Sequence, residues 1–271
     1  MIDNAEEQVS KYYNTVGWET EQEVTEDARR WEDLREHARE YVSNCRLRVL
    51  DYIPDTGSNI LDMGSGPIQY VEYLEYSRNF SKRYCVDLSI TALREAKSKI
   101  GNHGVYLHGS FLNIPMKENF FDCSVSLHTI YHVNKNKQEE IVRKLIYVTK
   151  PEKPVIIVYS NPNTFISFPF RIFRGVHCRL RKQENTVKRE EDLSLYFHAY
   201  PLIWWNRFSD VAYIKIMPFR SFGSNFQKKI IPDNKIGSKI FKLLFYLEKQ
   251  FPVFFVKYFQ YPMIILTKKA H

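Results

Sequence analysis

Three kinds of residue in this chain have the types and spacing to do chemistry. In the stretch NILDMGSGPIQY, Asp62, Gly64 and Gly66 alternate with other residues directly after an apolar run, and Pro67 follows at once. Paired glycines let a chain turn sharply and let a ligand approach bare backbone, and Pro67 suits the first turn of a helix, whose free N–H groups favour an anionic or polar ligand. Asp87 lies 21 residues beyond Gly66, at the end of the next strand-like run, where an acid in a doubly wound sheet grips a ribose diol. Together they read as a nucleoside site. His128 and His132 form the third group, because a histidine's ordinary pKa near neutrality equips it to take a proton from a reacting group.

Alternating strands and helices must position these residues. Trp31, Leu34, Ala38, Tyr41 and Cys45 recur at helical steps, which predicts a helix over Ala28 to Cys45. Asn59 to Met63 reads as a strand and Pro67 to about Tyr76 as a helix. The strand RYCVDL ends at Asp87, and Ser89 caps a helix that carries Leu93, Ala96 and Ile100 and stops at Gly101. VYLHGS and FDCSVSLH read as strands, Gln138 to Thr149 as a helix and PVIIVYS as a fifth strand. VAYIKIM and PMIILTKK then bracket the helix GSKIFKLLFYLEKQ. The series predicts an α/β fold: a doubly wound, mostly parallel, seven-stranded sheet with helices on both faces.

Composition narrows the function. A chain of 271 residues, 44% hydrophobic and 15% aromatic, is long enough for a sizeable core. Its net charge of +8 is spread along the sequence, so nucleic acid is not the expected partner. Cys45, Cys85, Cys123 and Cys178 lie far apart, which suits reduced thiols and a cytoplasmic location. The polar start MIDNAEEQVS is no signal peptide, and FPVFFVKYFQYPMIILT is too interrupted for a spanning helix. No metal-ligand grouping is visible. A dinucleotide fingerprint would place glycine at position 69, where Gln69 stands, and no Walker lysine follows the loop.

With LDMGSGP, VDLS and GSFLNIPMKENFFDCSVSLHTIYHV in sequence, the chain resembles the class I S-adenosylmethionine-dependent methyltransferases over about Ile60 to Ser160. The resemblance implies a Rossmann-like core and S-adenosyl-L-methionine as cofactor. Asp62, Gly64, Ser65 and Gly66 would wrap its methionine part, Asp87 would hold the ribose hydroxyls and Leu88 would lie by the adenine. The family usually carries an acid after the third core strand; Ser110 and Phe111 stand here, so backbone and stacking contacts would replace it. Ile68 replaces a common third loop glycine and crowds the site. The resemblance would put His128 and His132 beside the departing methyl, with His128 holding cofactor and acceptor. His132 would be the base for a hydroxyl acceptor, or else only a loop-packing residue, since Ser160-Asn161 supplies no partner acid.

Specificity is expected outside that core. The predicted organisation is an N-terminal cap at residues 1–45, a cofactor-binding core at 46–160, a helical pocket-roof insertion after strand five at 161–209 and a closing strand-helix-strand at 210–271. Within the cap, Tyr13 would touch the cofactor while Tyr12 and Trp18 face the acceptor. From the insertion, Tyr196, Phe197, His198, Tyr200, Trp204 and Trp205 would suit a sugar ring or a flat natural product, or else form the core of a small helical subdomain. The expected activity is methyl transfer to a hydroxyl or amine of a small molecule. Alternating Phe and Arg from Phe165 to Arg181 leave peripheral membrane contact and lipid-linked acceptors open. An RNA-directed enzyme and a cofactor-binding protein without turnover are the alternatives. The acceptor atom and the oligomeric state are not legible.

Overall fold

A computed structural model describes residues 4–18, 20–21, 24–165 and 195–270. A helix at Asn4–Tyr12 and a short wide turn at Tyr13–Gly17 lead to a two-residue hairpin, β1 (Thr20–Glu21) and β2 (Val24–Thr25). The main sheet follows: β3 (Gly57–Met63), β4 (Phe80–Asp87), β5 (Gly104–His108), β6 (Cys123–Leu127), β7 (Pro154–Val158), β8 (Ala212–Arg220) and β9 (Tyr261–Lys268). Its order is β5-β4-β3-β6-β7-β9-β8. The first five strands pair in parallel, and β9 runs antiparallel between β7 and β8. The seven-stranded, mostly parallel Rossmann-like sheet is the expected one. Strand alternation gives each face its own core: Leu61, Met63, Val155 and Ile157 on one, Ile60, Val125, Ile156 and Val158 on the other.

Two expected helices differ. The Ala28–Cys45 pattern is broken into helices Glu26–Trp31 and Glu36–Leu47. Between them Asp33 binds the backbone N–H of Arg35 and the Arg35 guanidinium, and this break turns Glu32 inward. There Glu32 accepts from Arg220 at 2.6 Å and lies 3.5 Å from Arg46, fastening the N-terminal helices to the end of β8. The second correction follows the glycine loop. Instead of a helix from Pro67, the chain makes turns with Ile68 at φ +51°, and only Glu72–Glu75 is helical. Ile68 takes that strained conformation because its side chain is 1% exposed and packs with Cys85, Leu93 and Ala96. It therefore anchors the loop rather than crowding the ligand side, and no helix N-terminus directly follows the loop.

Of the expected insertion, residues 166–194 lie outside the described residues, including most of the Phe/Arg stretch and Cys178. Residues after them form a turn at Leu202–Phe208 that packs onto the sheet. Trp204 and Trp205 are buried there: Trp204 stacks on Tyr200 at 4.8 Å and Trp205 meets Tyr159 edge-on at 5.0 Å. They are core residues, because the seven-residue turn before β8 places both indoles in the cluster on one face of the sheet, Trp205 beside Tyr159 just after β7.

Asp62, which also borders the cavity beyond the end of β3, is largely buried, and its carboxylate pairs with Arg83, itself 1% exposed. Removing one member of such a pair leaves a buried charge without its partner. Arg83→Met is expected to destabilise the fold by about 3–5 kcal/mol, read from urea unfolding. A loss within about 0.5 kcal/mol, the range of surface substitutions, would show that the pair carries no structural weight.

Candidate active site

The parallel strands β3, β4 and β6 end along one edge of the sheet, and the loops after them border a cavity of about 440 Å³. That volume falls within the ~300–1,000 Å³ of small-molecule sites. At one end the turn after β3 carries Gly64 at φ +70° and Gly66 at φ +53°, a region that favours glycine. A side chain on Gly64 would run into Thr129, and one on Gly66 would lie 3.1 Å from the Trp18 ring. The first glycine is thus required by protein packing as well as by the turn.

Asp87 ties this loop to the next strand. Its carboxylate accepts from the Gly66 N–H and from the Ser89 N–H, each at 2.8 Å. Burial raises its pKa to about 6, although those two N–H donors pull the other way. Leu88, Ser110 and Phe111 line the same end. Ser110 donates at 2.6 Å to Glu6, a buried carboxylate from the Asn4–Tyr12 helix that also lines the cavity. Sequence reasoning missed Glu6. Its approach spans more than a hundred positions, and its only local signal is an acid among the first-turn residues of an amphipathic helix.

The N-terminal segment covers this end. Val9, Tyr13 and Trp18 line the cavity, with Tyr13 stacked on Trp18 at 4.9 Å, and Ser89 donates to Asn14 at 2.8 Å. Tyr12 does not line it; its ring is buried edge-on against Tyr13.

The other end is aromatic and charged. Tyr70, Tyr73, Tyr131, Tyr261 and Phe197 line it together with Asp27, Glu32 and Arg220. Asp27 is bonded by the Tyr13 hydroxyl at 3.4 Å, and burial, reinforced by the negative charge of Glu32, raises its pKa to about 7. Sequence reasoning also passed over Asp27, Glu32 and Arg220, which only the break after Trp31 and the end of β8 bring together.

His128 and His132 both line the cavity. His128, at φ +58°, shares a bond of 2.9 Å between Nδ1 and the Tyr131 hydroxyl, and burial beside Arg220 holds its pKa well below the usual value. The Nδ1–H of His132 donates to the Tyr196 carbonyl at 2.7 Å, which selects the tautomer with Nε2 as the basic nitrogen. Burial lowers its pKa to about 4, so the ring is neutral at physiological pH. His198 and Tyr200 are absent from the lining: His198 donates its backbone N–H to Tyr131, and Tyr200 stacks in the Trp204 cluster. Of the expected roof aromatics, Phe197 lines the cavity and Tyr196, His198, Tyr200, Trp204 and Trp205 do not.

Comparison with known proteins agrees with this geometry. The family model described as "Methyltransferase domain" matches residues 61–157, the stretch from β3 through β7. No curated protein matches the chain. Among solved structures, a geranyl diphosphate methyltransferase in complex with geranyl diphosphate and sinefungin superposes with a TM-score of 0.61 at 12% identity, covering 100% of both chains. The geranyl diphosphate C-methyltransferase of Streptomyces coelicolor A3(2) gives 0.57 at 12% identity over 98% of each chain. Phosphoethanolamine N-methyltransferase 2 of Haemonchus contortus, solved with S-adenosyl-L-methionine, gives 0.52 at 14% identity over 84% of this chain and 53% of that one. The present chain spans about half the length of that nematode enzyme. At these identities the likeness is one of fold. Residues 61–157 thus match a methyltransferase-domain model, within a fold shared with solved methyltransferases.

Gly64→Ala is expected to lower stability by roughly 1–3 kcal/mol and to loosen the loop, since it combines a strained φ with a collision against Thr129. Thermal unfolding checks the first effect. Thr129→Gly in the same chain, by removing the struck side chain, should recover part of the loss; no recovery would leave φ strain as the whole cause.

Proposed function

We propose that the chain is an S-adenosylmethionine-dependent methyltransferase acting on a hydroxyl or amine of a small molecule. The observation that carries this reading is a single cavity joining the Gly64–Gly66 turn and Asp87 at one end to Asp27 and His132 at the other. The residues fit the cofactor: two positive-φ glycines expose backbone, Asp87 offers a carboxylate for ribose hydroxyls, and Leu88 and Phe111 give apolar walls for the adenine. Glu6 and Ser110 supply the polar edge that the usual acid would provide, so the N-terminal helix acts as a cap over the cofactor.

When bound, the cofactor supplies a sulfonium methyl group already activated for transfer. The chain's own residues align the acceptor, exclude water and accept a proton. Tyr13 and Trp18 close the cofactor end, while Tyr70, Tyr131, Tyr261 and Phe197 give the acceptor flat walls. Two groups are placed to receive a proton. His132 presents Nε2 in its neutral state, and Asp27 presents a carboxylate. An amine acceptor is the second reading. It is favoured by Asp27, which lines the cavity together with the Tyr70 and Tyr131 rings; Arg30 favours its charged form from nearby, but among the described residues no ion pair as short as that of Arg220 with Glu32 holds it. The free, buried thiols of Cys45, Cys85 and Cys123 support a reducing compartment such as the cytoplasm.

The decisive assay is transfer of labelled methyl from S-adenosylmethionine to a panel of small alcohols, phenols and amines. Product with none of them, despite cofactor binding, would contradict the enzymatic reading.

The pH profile separates the two proton acceptors. A base works only when deprotonated, so activity rises with pH through its pKa. A limb near pH 7 that vanishes in Asp27→Asn would assign the proton to Asp27, whereas His132 predicts a limb near pH 4 and a flat profile above it. The ordinary histidine range of pH 6–7 is not expected, because burial has lowered His132. For a hydroxyl acceptor, removing the true base should cost about 10²- to 10⁴-fold in kcat with little change in cofactor affinity.

The cofactor half has its own test. Asp87→Ala should weaken S-adenosylhomocysteine binding by about 2–3 kcal/mol in calorimetry, the scale of hydrogen bonds to a charged group. In the wild type, affinity should be full above about pH 6 and fall as Asp87 is protonated below it. Unchanged affinity in a folded Asp87 variant would remove the nucleoside assignment.

A further inference from the structure

The helix Lys235–Gln250 begins at Asn234, whose side chain accepts from the N–H groups of Ile236 and Gly237. Its inner face, with Phe241, Leu244 and Phe245, packs against Tyr41 and Val42 of the helix Glu36–Leu47. On the inner side Glu248 is buried and bonded by Arg48 at 2.6 Å. Amphipathic logic would make the remaining surface polar, and it is not. Ile236, Ile240, Leu243 and Tyr246 are exposed, the first three at i, i+4 and i+7, and so form one outward stripe. Exposed apolar side chains follow at once beyond the helix end: Phe251 is 58% exposed, and Val253 and Phe254 on the next helix, Pro252–Tyr258, are 79% and 52% exposed. Seven large apolar side chains within nineteen residues exceed what scattered surface exposure explains.

Charge says what would cover this face. Lys235, Lys239, Lys242 and Lys249 lie on the first helix, all exposed, and Lys257 lies on the second. Helical steps put Lys235, Lys239, Lys242 and Lys249 between the buried face and the apolar stripe, along one border of it, where Lys242 forms an exposed pair with Glu40 at 3.1 Å. Counting Lys228 and Lys229 just upstream, residues 224–260 hold seven lysines against two acids, Asp233 and the buried Glu248. Protein interfaces are depleted in lysine, whereas a helix lying on a bilayer uses apolar residues to enter the acyl boundary and lysines to reach anionic headgroups. The helix has sixteen residues and four lysines, and among the described residues no helix is long and apolar enough to cross a membrane.

We propose that the outward face of Lys235–Gln250 and Pro252–Tyr258 rests on an anionic membrane surface, with Leu243, Val253 and Phe254 inserted and the bordering lysines against phosphate. The chain would lie on the bilayer rather than span it. Docking there also bears on the cavity, because Gln260 and Tyr261, which line it, follow the second helix directly. An acceptor with an apolar tail would then meet the enzyme at the surface that holds it. The docking surface stands on its own residues and does not need the methyltransferase reading.

The test is co-sedimentation of the full chain with vesicles of phosphatidylcholine and phosphatidylglycerol in equal parts, and with phosphatidylcholine alone. Binding to the mixed vesicles, weakened by salt and by omission of the anionic lipid, is expected. The variants Val253→Asp/Phe254→Asp and Lys235→Glu/Lys239→Glu should each lose about tenfold or more of that binding, since each basic residue near an anionic surface contributes on the order of 1 kcal/mol. All four positions are exposed, and unchanged thermal unfolding would confirm that the fold is kept. Absence of binding to mixed vesicles would overturn the proposal, as would equal binding by the variants. So would a solution dimer that Val253→Asp/Phe254→Asp dissociates, because the face would then be covered by a second copy.

Discussion

The site depends first on the Asp87 carboxylate. Its two oxygens take the N–H groups of Gly66 and Ser89, so the turn after β3 is locked to the start of the helix after β4. A carboxylate partly removed from water costs free energy unless donors compensate, and here the donors are backbone groups that the loops would otherwise leave unpaired. Each oxygen keeps a further acceptor position, which the proposed function gives to a ribose diol. Gly64, Ile68 and Thr129 then follow as consequences. One glycine must be left-handed and bare beside Thr129, and one isoleucine accepts positive φ to pin the turn against Cys85 and Leu93.

A second set of charges builds the other half. Glu32 lies between Arg46 and Arg220, and Arg46 covers the Tyr70 ring at 3.3 Å. The N-terminal helices, the β8 end and the segment after the glycine loop are thereby drawn to one place, although they are remote in sequence. Such a buried network contributes less to net stability than to the positions of the groups it joins. What it positions is a chamber with tyrosine walls and a carboxylate, Asp27, whose raised pKa reflects burial near Glu32. The end proposed for the cofactor is built mainly from contiguous strand-loop segments, and the end proposed for the acceptor is assembled from distant ones.

Legibility in the sequence follows the same division. The strands and the Gly64, Gly66 and Asp87 constellation could be read because period-two runs and a turn signature are local. The helix Ala28–Cys45 could not be read correctly, because its apolar steps continue through a break that Asp33 and Arg35 create by a short-range ion pair. Glu6 was invisible for another reason: its partner Ser110 is brought to it only by the fold. His132 was recognised as a candidate base, but its low pKa arises from burial, which no residue type announces. Trp204 and Trp205 show the opposite error. Aromatic clusters suit a ring-binding pocket and a core equally well, and packing of Trp205 against Tyr159 and of Trp204 against Tyr200 and Phe208 decides for the core.

The central claim is that one cavity holds S-adenosylmethionine beneath an N-terminal cap anchored by Glu6. Hydrogen exchange followed by mass spectrometry, with and without S-adenosylhomocysteine, tests it most directly. Added ligand should slow exchange in three separate segments together: residues 4–18, the Gly64–Gly66 turn with Asp87–Ser89, and Gly109–Phe111, leaving the helix Lys235–Gln250 unchanged. Protection confined to other parts of the chain, or none at saturating ligand, would contradict the account.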